Sequence, residues 1–155
     1  MKLNKILTFL IILLIVFTPA ILGGISTTGS VDSEWYESNK PGFTPPNWIF
    51  GPAWTILYIL IAFSLFSAWI KSTKTDKKNL SLVFGINLLS NGIWSYFFFV
   101  LQMPLLAFLD LILIWISILA MILITYKIDK KSAYLLIPYL LWVTFAGILN
   151  LGFIF

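Results

Sequence analysis

Apolar residues in this chain come in long, nearly unbroken runs with short polar breaks between them. Five such runs stand out, at residues 6–25, 48–70, 79–100, 104–126 and 133–155. A hydrocarbon layer about 30 Å thick is crossed by about 20 helical residues, so each run is long enough to span a bilayer. Only helices and closed barrels can satisfy their backbone there, and runs this long are helical. The pattern predicts an all-α integral membrane protein, a bundle of five transmembrane helices forming one membrane domain over residues 1–155. The longest connection is 26–47, and no room is left for a soluble domain. Composition agrees, because a chain that is 60% hydrophobic and 10% charged cannot present an ordinary charged surface to water.

The first run also fits a secretory leader, since Lys2 and Lys5 precede it. It is longer than the roughly 7–15 apolar residues of a leader, however, and no A-x-A-like cleavage site follows, so a retained helix is expected. The net charge of +4 comes from ten basic residues, all of them lysines. Lys2 and Lys5, then Lys71, Lys74, Lys77 and Lys78, then Lys127, Lys130 and Lys131 fall on one side of five crossings. Lys40 alone falls opposite. The positive-inside rule therefore places the amino terminus in the cytoplasm and the 26–47 segment and carboxyl terminus outside. Short lysine clusters without arginine or a soluble face do not suit nucleic acid.

Cysteine and histidine are both absent. This excludes disulfides, thiol chemistry, Ser/His/Asp and Cys/His nucleophiles, and most zinc or haem ligation. No metal site is expected. No Gly-rich phosphate loop is present, so nucleotide-driven transport has no support. What remains for chemistry is aromatic rings, amides, prolines and one acidic residue inside a span, Asp110. A carboxylate at that depth costs at least about 2.5 kcal/mol on insertion scales, so it should face the bundle interior with a partner, a ligand contact or a proton.

In the third span, assigning about 100° per residue with Gly85 at zero puts Asn87, Asn91, Trp94 and Phe98 at about 180° to 240° and Ser81 and Gly92 within about 40° of Gly85. Buried amides need partners within the protein, whereas small residues admit a neighbouring helix. The amide face is expected inside, and the Ser81/Gly85/Gly92 face is a candidate homodimer surface or a packing face within the chain. The fifth span carries Pro138, Trp142, Ala146 and Asn150 at four-residue spacing. Trp142 should lie near mid-membrane, where an interfacial aromatic belt does not account for it. Trp54, Asn91, Trp94, Asp110 and Ala146 fall at comparable depth in four spans. The proline-stiffened 26–47 segment, with Trp35, Tyr36, Pro41, Phe43, Pro45 and Pro46, runs above them as a lid over a small-molecule cavity.

These residues make up a recognisable series: Trp35-Tyr36, Lys40-Pro41-Gly42-Phe43-Thr44-Pro45-Pro46-Asn47-Trp48, Phe50-Gly51-Pro52-Ala53-Trp54-Thr55-Ile56-Leu57-Tyr58, Asn87 to Asn91 with Trp94, Asp110, and Leu136 to Ala146. The series resembles the TspO/MBR family, also called translocator proteins or tryptophan-rich sensory proteins, over essentially the whole chain. The resemblance implies a five-helix bundle, often a homodimer, that takes tetrapyrroles such as protoporphyrin IX and benzodiazepine-type ligands under the first loop. Porphyrin enters as a ligand, and no cofactor is implied. Family pocket positions match Tyr36, Pro45, Trp54, Asn87, Asn91, Trp142 and Ala146, to which Trp94 and Asp110 are added here on depth. Some bacterial relatives degrade porphyrin in light through two pocket tryptophans, which match Trp54 and Trp142 and make these the candidate catalytic residues.

Animal relatives carry a cholesterol-recognition pattern late in the fifth helix. Residues 150–155 lack its Tyr and basic residue, and Leu123, Tyr126 and Lys130 fit it only loosely. The expected function is a porphyrin-binding receptor, sensor or carrier. A light-dependent porphyrin-degrading enzyme and a small proton-coupled exporter using Asp110 are the alternatives.

Overall fold

A computed structural model describes residues 4–27 and 29–155, so Lys2 of the orientation argument lies outside the described residues. The chain forms α1 (Lys5–Thr27), α2 (Glu34–Asn39), α3 (Phe50–Lys71), α4 (Lys74–Ser95), α5 (Pro104–Ile128), α6 (Lys130–Tyr134) and α7 (Ile137–Leu151). A 3-10 turn, Asn47–Ile49, leads into α3, and a π-helical turn, Tyr96–Val100, continues α4. Five segments are long and apolar enough to cross a membrane: Lys5–Thr27, Asn47–Lys71, Lys74–Val100, Pro104–Ile128 and Lys130–Leu151. The protein is thus an all-α bundle of five membrane-spanning segments.

Three local features depart from the expectation. The third span begins at Lys74 rather than at 79, because Thr73 and Asp76 form a reciprocal capping box that starts the helix among polar residues. The fifth is broken after α6 and restarts at Ile137, with Pro138 in its first turn, where the missing proline N–H costs no hydrogen bond. It ends at Leu151, short of 155. The 26–47 connection contains α2, whose cap is Ser33, its side chain accepting from the Tyr36 N–H at 3.2 Å.

Around the bundle the helices follow the order α3, α1, α4, α5, α7. The main contacts are α1 with α3 and α4, α4 with α5, and α5 with α7, while α7 meets α3 only slightly. The half of the bundle nearer the lysine clusters is filled by fully buried Ile61, Leu80, Phe84, Ile118, Met121 and Leu136. Leu14, Ile25, Leu82, Leu89, Leu123 and Leu141 lie exposed on the outer faces. Such a distribution suits lipid as the surrounding solvent, since hydrocarbon does not penalise exposed leucine.

At the lysine-rich end one carboxylate ties two connections together. Asp129 Oδ1 lies 3.0 Å from Lys71 Nζ, and its Oδ2 accepts from the Ser132 hydroxyl at 2.5 Å. The Ser132 bond first, then Lys71, hold the Asp129 carboxyl below its ordinary value of 3.8. A group with a lowered folded pKa contributes stability above its unfolded value and loses it as pH falls through the folded one. Asp129→Asn is therefore expected to lower the thermal midpoint in detergent modestly at pH 7. The gap to the unaltered protein should close once the pH falls below 3.8. An equal gap at pH 7 and at low pH would mean that ionisation plays no part.

Candidate ligand cavity

A cavity of about 550 Å³ opens among α1, α3, α4, α5 and α7 beneath the segment that contains α2. Small-molecule sites fall in the range of about 300–1,000 Å³. Trp54 and Tyr58 of α3, Asn91 and Trp94 of α4, and Trp142 and Ala146 of α7 form the walls, with Tyr36, Thr44 and Asn47 in the roof. The Trp54 ring stacks on Tyr58 at 5.5 Å and meets Tyr139 edge-on at 6.2 Å. Trp142 touches Phe50 edge-on at 6.0 Å and Phe145 at 5.8 Å. Trp94 stacks on Phe98 at 4.9 Å, and its indole N–H donates to Asn150 Oδ1 at 3.2 Å. The Asn150 amide in turn donates to the Pro104 carbonyl at 2.8 Å, tying α7 to the first turn of α5.

Beneath the cavity runs a closed polar chain. The Tyr58 hydroxyl donates to Asn91 Oδ1 at 2.7 Å, and the Asn91 amide donates to the Tyr139 hydroxyl at 2.9 Å. Tyr139 donates to Asn87 Oδ1 at 3.0 Å, and Asn87 Nδ2 donates to Ser117 Oγ at 2.8 Å. Three helices, α3, α4 and α7, are thus joined to α5 through two asparagines. Buried polar groups in hydrocarbon must be paired in this way.

Among the candidate site residues, Tyr36, Trp54, Asn91, Trp94, Trp142 and Ala146 converge on the cavity. Asn87, Pro45 and Asp110 do not line it. Asn87 lies one turn deeper than Asn91, fully buried, with its amide engaged below the floor. Thr44 and Asn47, either side of Pro45 in the chain, supply the roof contacts instead. Asp110 lies on α5 beside the Ser90 hydroxyl, with its Oδ2 buried and without a hydrogen-bond partner. Asn87 and Pro45 were expected there from the family resemblance and Asp110 from its depth, but level does not fix the direction in which a side chain points.

Sequence reasoning did not select Tyr58, Tyr139 or Asn150 as site residues. Tyr58 sits one turn after Trp54 and Asn150 one turn after Ala146, so the four-residue spacing that marked those neighbours was the available signal.

The roof is held at several points. Tyr36 packs on Phe153 at 5.4 Å and on Phe99 at 6.0 Å, and Asn47 Nδ2 donates to the Val31 carbonyl at 3.2 Å. Pro41 sits so close over Gly152 that a Cβ there would collide with its ring. Burial, and secondarily the Glu37 carboxylate, raise the Tyr36 phenol above its ordinary value, so it is neutral at physiological pH. No Asp, Glu or Lys is among the described residues that line the cavity.

The small residues of α4 do not form one surface. Ser81 and Gly85 are exposed, and a Cβ at Gly85 would meet nothing within 4 Å. Gly92 instead faces α1, where a Cβ would lie 3.7 Å from a Leu22 methyl and 3.9 Å from Pro19 Cα.

Five spanning segments around an uncharged, tryptophan-walled cavity with a folded roof define a class of small multi-pass membrane proteins with an internal aromatic site. The TspO/MBR family profile matches residues 10–155, and the chain belongs to that family. It is 40% identical over 146 residues to the tryptophan-rich protein TspO of Archaeoglobus fulgidus, covering 94% of each chain. It is 31% identical to the tryptophan-rich sensory protein of Cereibacter sphaeroides, over 84% of this chain and 83% of that one. The translocator protein of Bos taurus is also 31% identical, over 82% of this chain and 77% of the bovine one.

Proposed function

We propose that this protein is a membrane receptor or carrier that binds porphyrin-like tetrapyrroles and related flat aromatic molecules in the roofed cavity. The observation that carries this reading is the pair Trp54 and Trp142, which line one uncharged cavity from two different helices. Flat π-systems gain from offset or edge-on ring contacts beyond the area they bury. Asn91 and Thr44, with the Tyr58 hydroxyl, add a few polar groups able to fix an orientation. The test is purified protein in detergent titrated with protoporphyrin IX, followed by absorbance and by product analysis in light and in darkness. A saturable spectral shift supports binding, and a linear response with added porphyrin overturns it.

Light-dependent porphyrin degradation is the second reading, and the same two indoles favour it, since tryptophan is the most readily oxidised residue in the cavity wall. Loss of porphyrin absorbance in light but not in darkness, with protein-dependent products, distinguishes it from binding alone. Proton-coupled export gains nothing from the geometry, because Asp110 does not line the cavity.

A homodimer belongs to this proposal, with the exposed Ser81/Gly85 part of α4 as its contact. Gly85→Leu is expected to weaken the dimer in native mass measurement while leaving the protomer folded. Gly92→Leu should instead lower protomer stability by separating α4 from α1. If Gly85→Leu leaves the dimer intact, the contact lies elsewhere. The proposed orientation, amino terminus inside, predicts that a reporter joined after Phe155 is active outside the cytoplasm and one inserted at Lys74 is active within it. The opposite pattern would reverse the assignment.

A further inference from the structure

We propose that ligands enter sideways from the bilayer through the seam between α3 and α7, with the Trp142 indole as the movable wall between seam and cavity. The proposal rests on the ligand-binding reading above.

On the outer face of the bundle, Ala53 and Ile56 of α3 and Pro138, Leu141 and Phe145 of α7 border a shallow apolar groove. Trp142 lines both this groove and the cavity, so its ring stands between the two. No charged residue borders either space among the described residues. A bilayer-dissolved aromatic molecule would therefore pass from lipid to cavity without leaving apolar surroundings. A water-soluble, highly charged one would gain nothing along this path.

How firmly each boundary is held decides between routes. The roof is secured by the Asn47 bond to Val31, by Tyr36 against Phe153, and by Pro41 seated on Gly152. The seam is closed only by the ring contacts Phe50–Trp142 and Trp54–Tyr139, with no direct α3–α7 hydrogen bond among the described residues, because α7 packs chiefly on α5 and meets α3 only slightly. The α6–α7 break also separates α7 from the anchored lysine-rich end. Ring contacts tell the same story at the level of side chains. Trp94 and Trp115 are pinned through their indole N–H groups, to Asn150 and Thr144. Trp142 has only its ring contacts with Phe50 and Phe145 and makes no side-chain hydrogen bond among the described residues. Swinging it aside forfeits ring contacts but breaks no hydrogen bond, so the cost of opening is small.

The experiment uses the full chain in lipid nanodiscs, with protoporphyrin IX as the probe and stopped-flow quenching of tryptophan fluorescence as the readout. Ala53→Phe adds a ring in the seam without touching the cavity. Association and dissociation should both slow at least about tenfold, while the equilibrium constant, being their ratio, stays within about threefold. Phe145→Ala opens the seam and should speed both rates, which keeps the test decisive if Ala53→Phe does not fold. Gly152→Ala, which displaces Pro41 and loosens the roof, should leave both rates unchanged. Faster exchange in Gly152→Ala with no change in either seam variant would overturn the lateral route in favour of the roof. Saturable binding with rates indifferent to the seam defeats this proposal alone. No binding by the unaltered chain defeats the receptor reading and the route together.

Discussion

Alanine at Trp54 or Trp142 is expected to abolish most porphyrin binding, whereas phenylalanine at either position should keep affinity within about tenfold, roughly 1.4 kcal/mol. The contrast follows from what each change removes. Phenylalanine retains a ring that can stack and most of the wall's volume, and it costs no hydrogen bond at Trp142, whose indole N–H makes none among the described residues. Alanine leaves a void beside Tyr58 in one case and beside Phe50 in the other. Any light-dependent loss of porphyrin should respond differently, because phenylalanine is much harder to oxidise than tryptophan. Under the degradation reading, both phenylalanine variants bind but lose most of that activity. Titration in darkness and timed absorbance in light measure the two effects separately. Phenylalanine variants that degrade porphyrin at the original rate would leave the indoles as packing residues and remove the chemical basis of the enzyme reading.

Asn87→Leu is expected to produce the largest loss of stability among single changes near the cavity, about 1–3 kcal/mol, while sparing ligand affinity. Asn87 accepts from Tyr139 and donates to Ser117, and it is fully buried. Leucine has similar volume but leaves the Tyr139 hydroxyl proton without an acceptor. Hydrogen bonds between membrane helices average about 0.6 kcal/mol and reach about 1.7, so loss of three, the long one to the Ile114 carbonyl included, together with one orphaned donor, accounts for that range. Tyr139→Phe removes the same Asn87 bond and also takes the acceptor from the buried Asn91 amide, so it too should lose stability within this range. Ser81→Ala, on the exposed face of α4, should cost nothing measurable. Denaturation midpoints in detergent check the ranking. Because Asn87 does not line the cavity, porphyrin affinity of the folded variant should change by no more than about threefold. A variant that folds normally but no longer binds would show that Asn87 reaches the ligand after all.

These two expectations differ in how far the chain alone supports them. Trp142 was legible as a wall residue because it is a large ring at a depth where an interfacial belt does not operate, and Trp54 because it falls at comparable depth, both within an ordered series that resembles a family. The five spans were legible for a more elementary reason. Bilayer thickness converts directly into a run length, and run length is written in the chain. Asn87 and Asn91 looked equivalent at that stage, one turn apart on one face of α4. The structure separates them, because α5 and Tyr139 reach Asn87 while the cavity opens at Asn91.

Ser81, Gly85 and Gly92 make the same point about helix faces. Periodicity groups them correctly about the axis of α4, but α1 crosses that face near Gly92 and leaves Gly85 open. Where α1 crosses depends on the Pro19 and Leu22 surface of another helix, which no local pattern on α4 encodes. Sequence by itself determined how many times the chain crosses the membrane, which residues are aromatic at cavity depth, and which chemistries lack the residues they need. Only the tertiary structure decided which amide is locked in the floor, which glycine is covered, and that α3 and α7 meet weakly. The reason is physical: span length and side-chain period are properties of one helix, whereas burial, pairing and access depend on the offset and crossing of two.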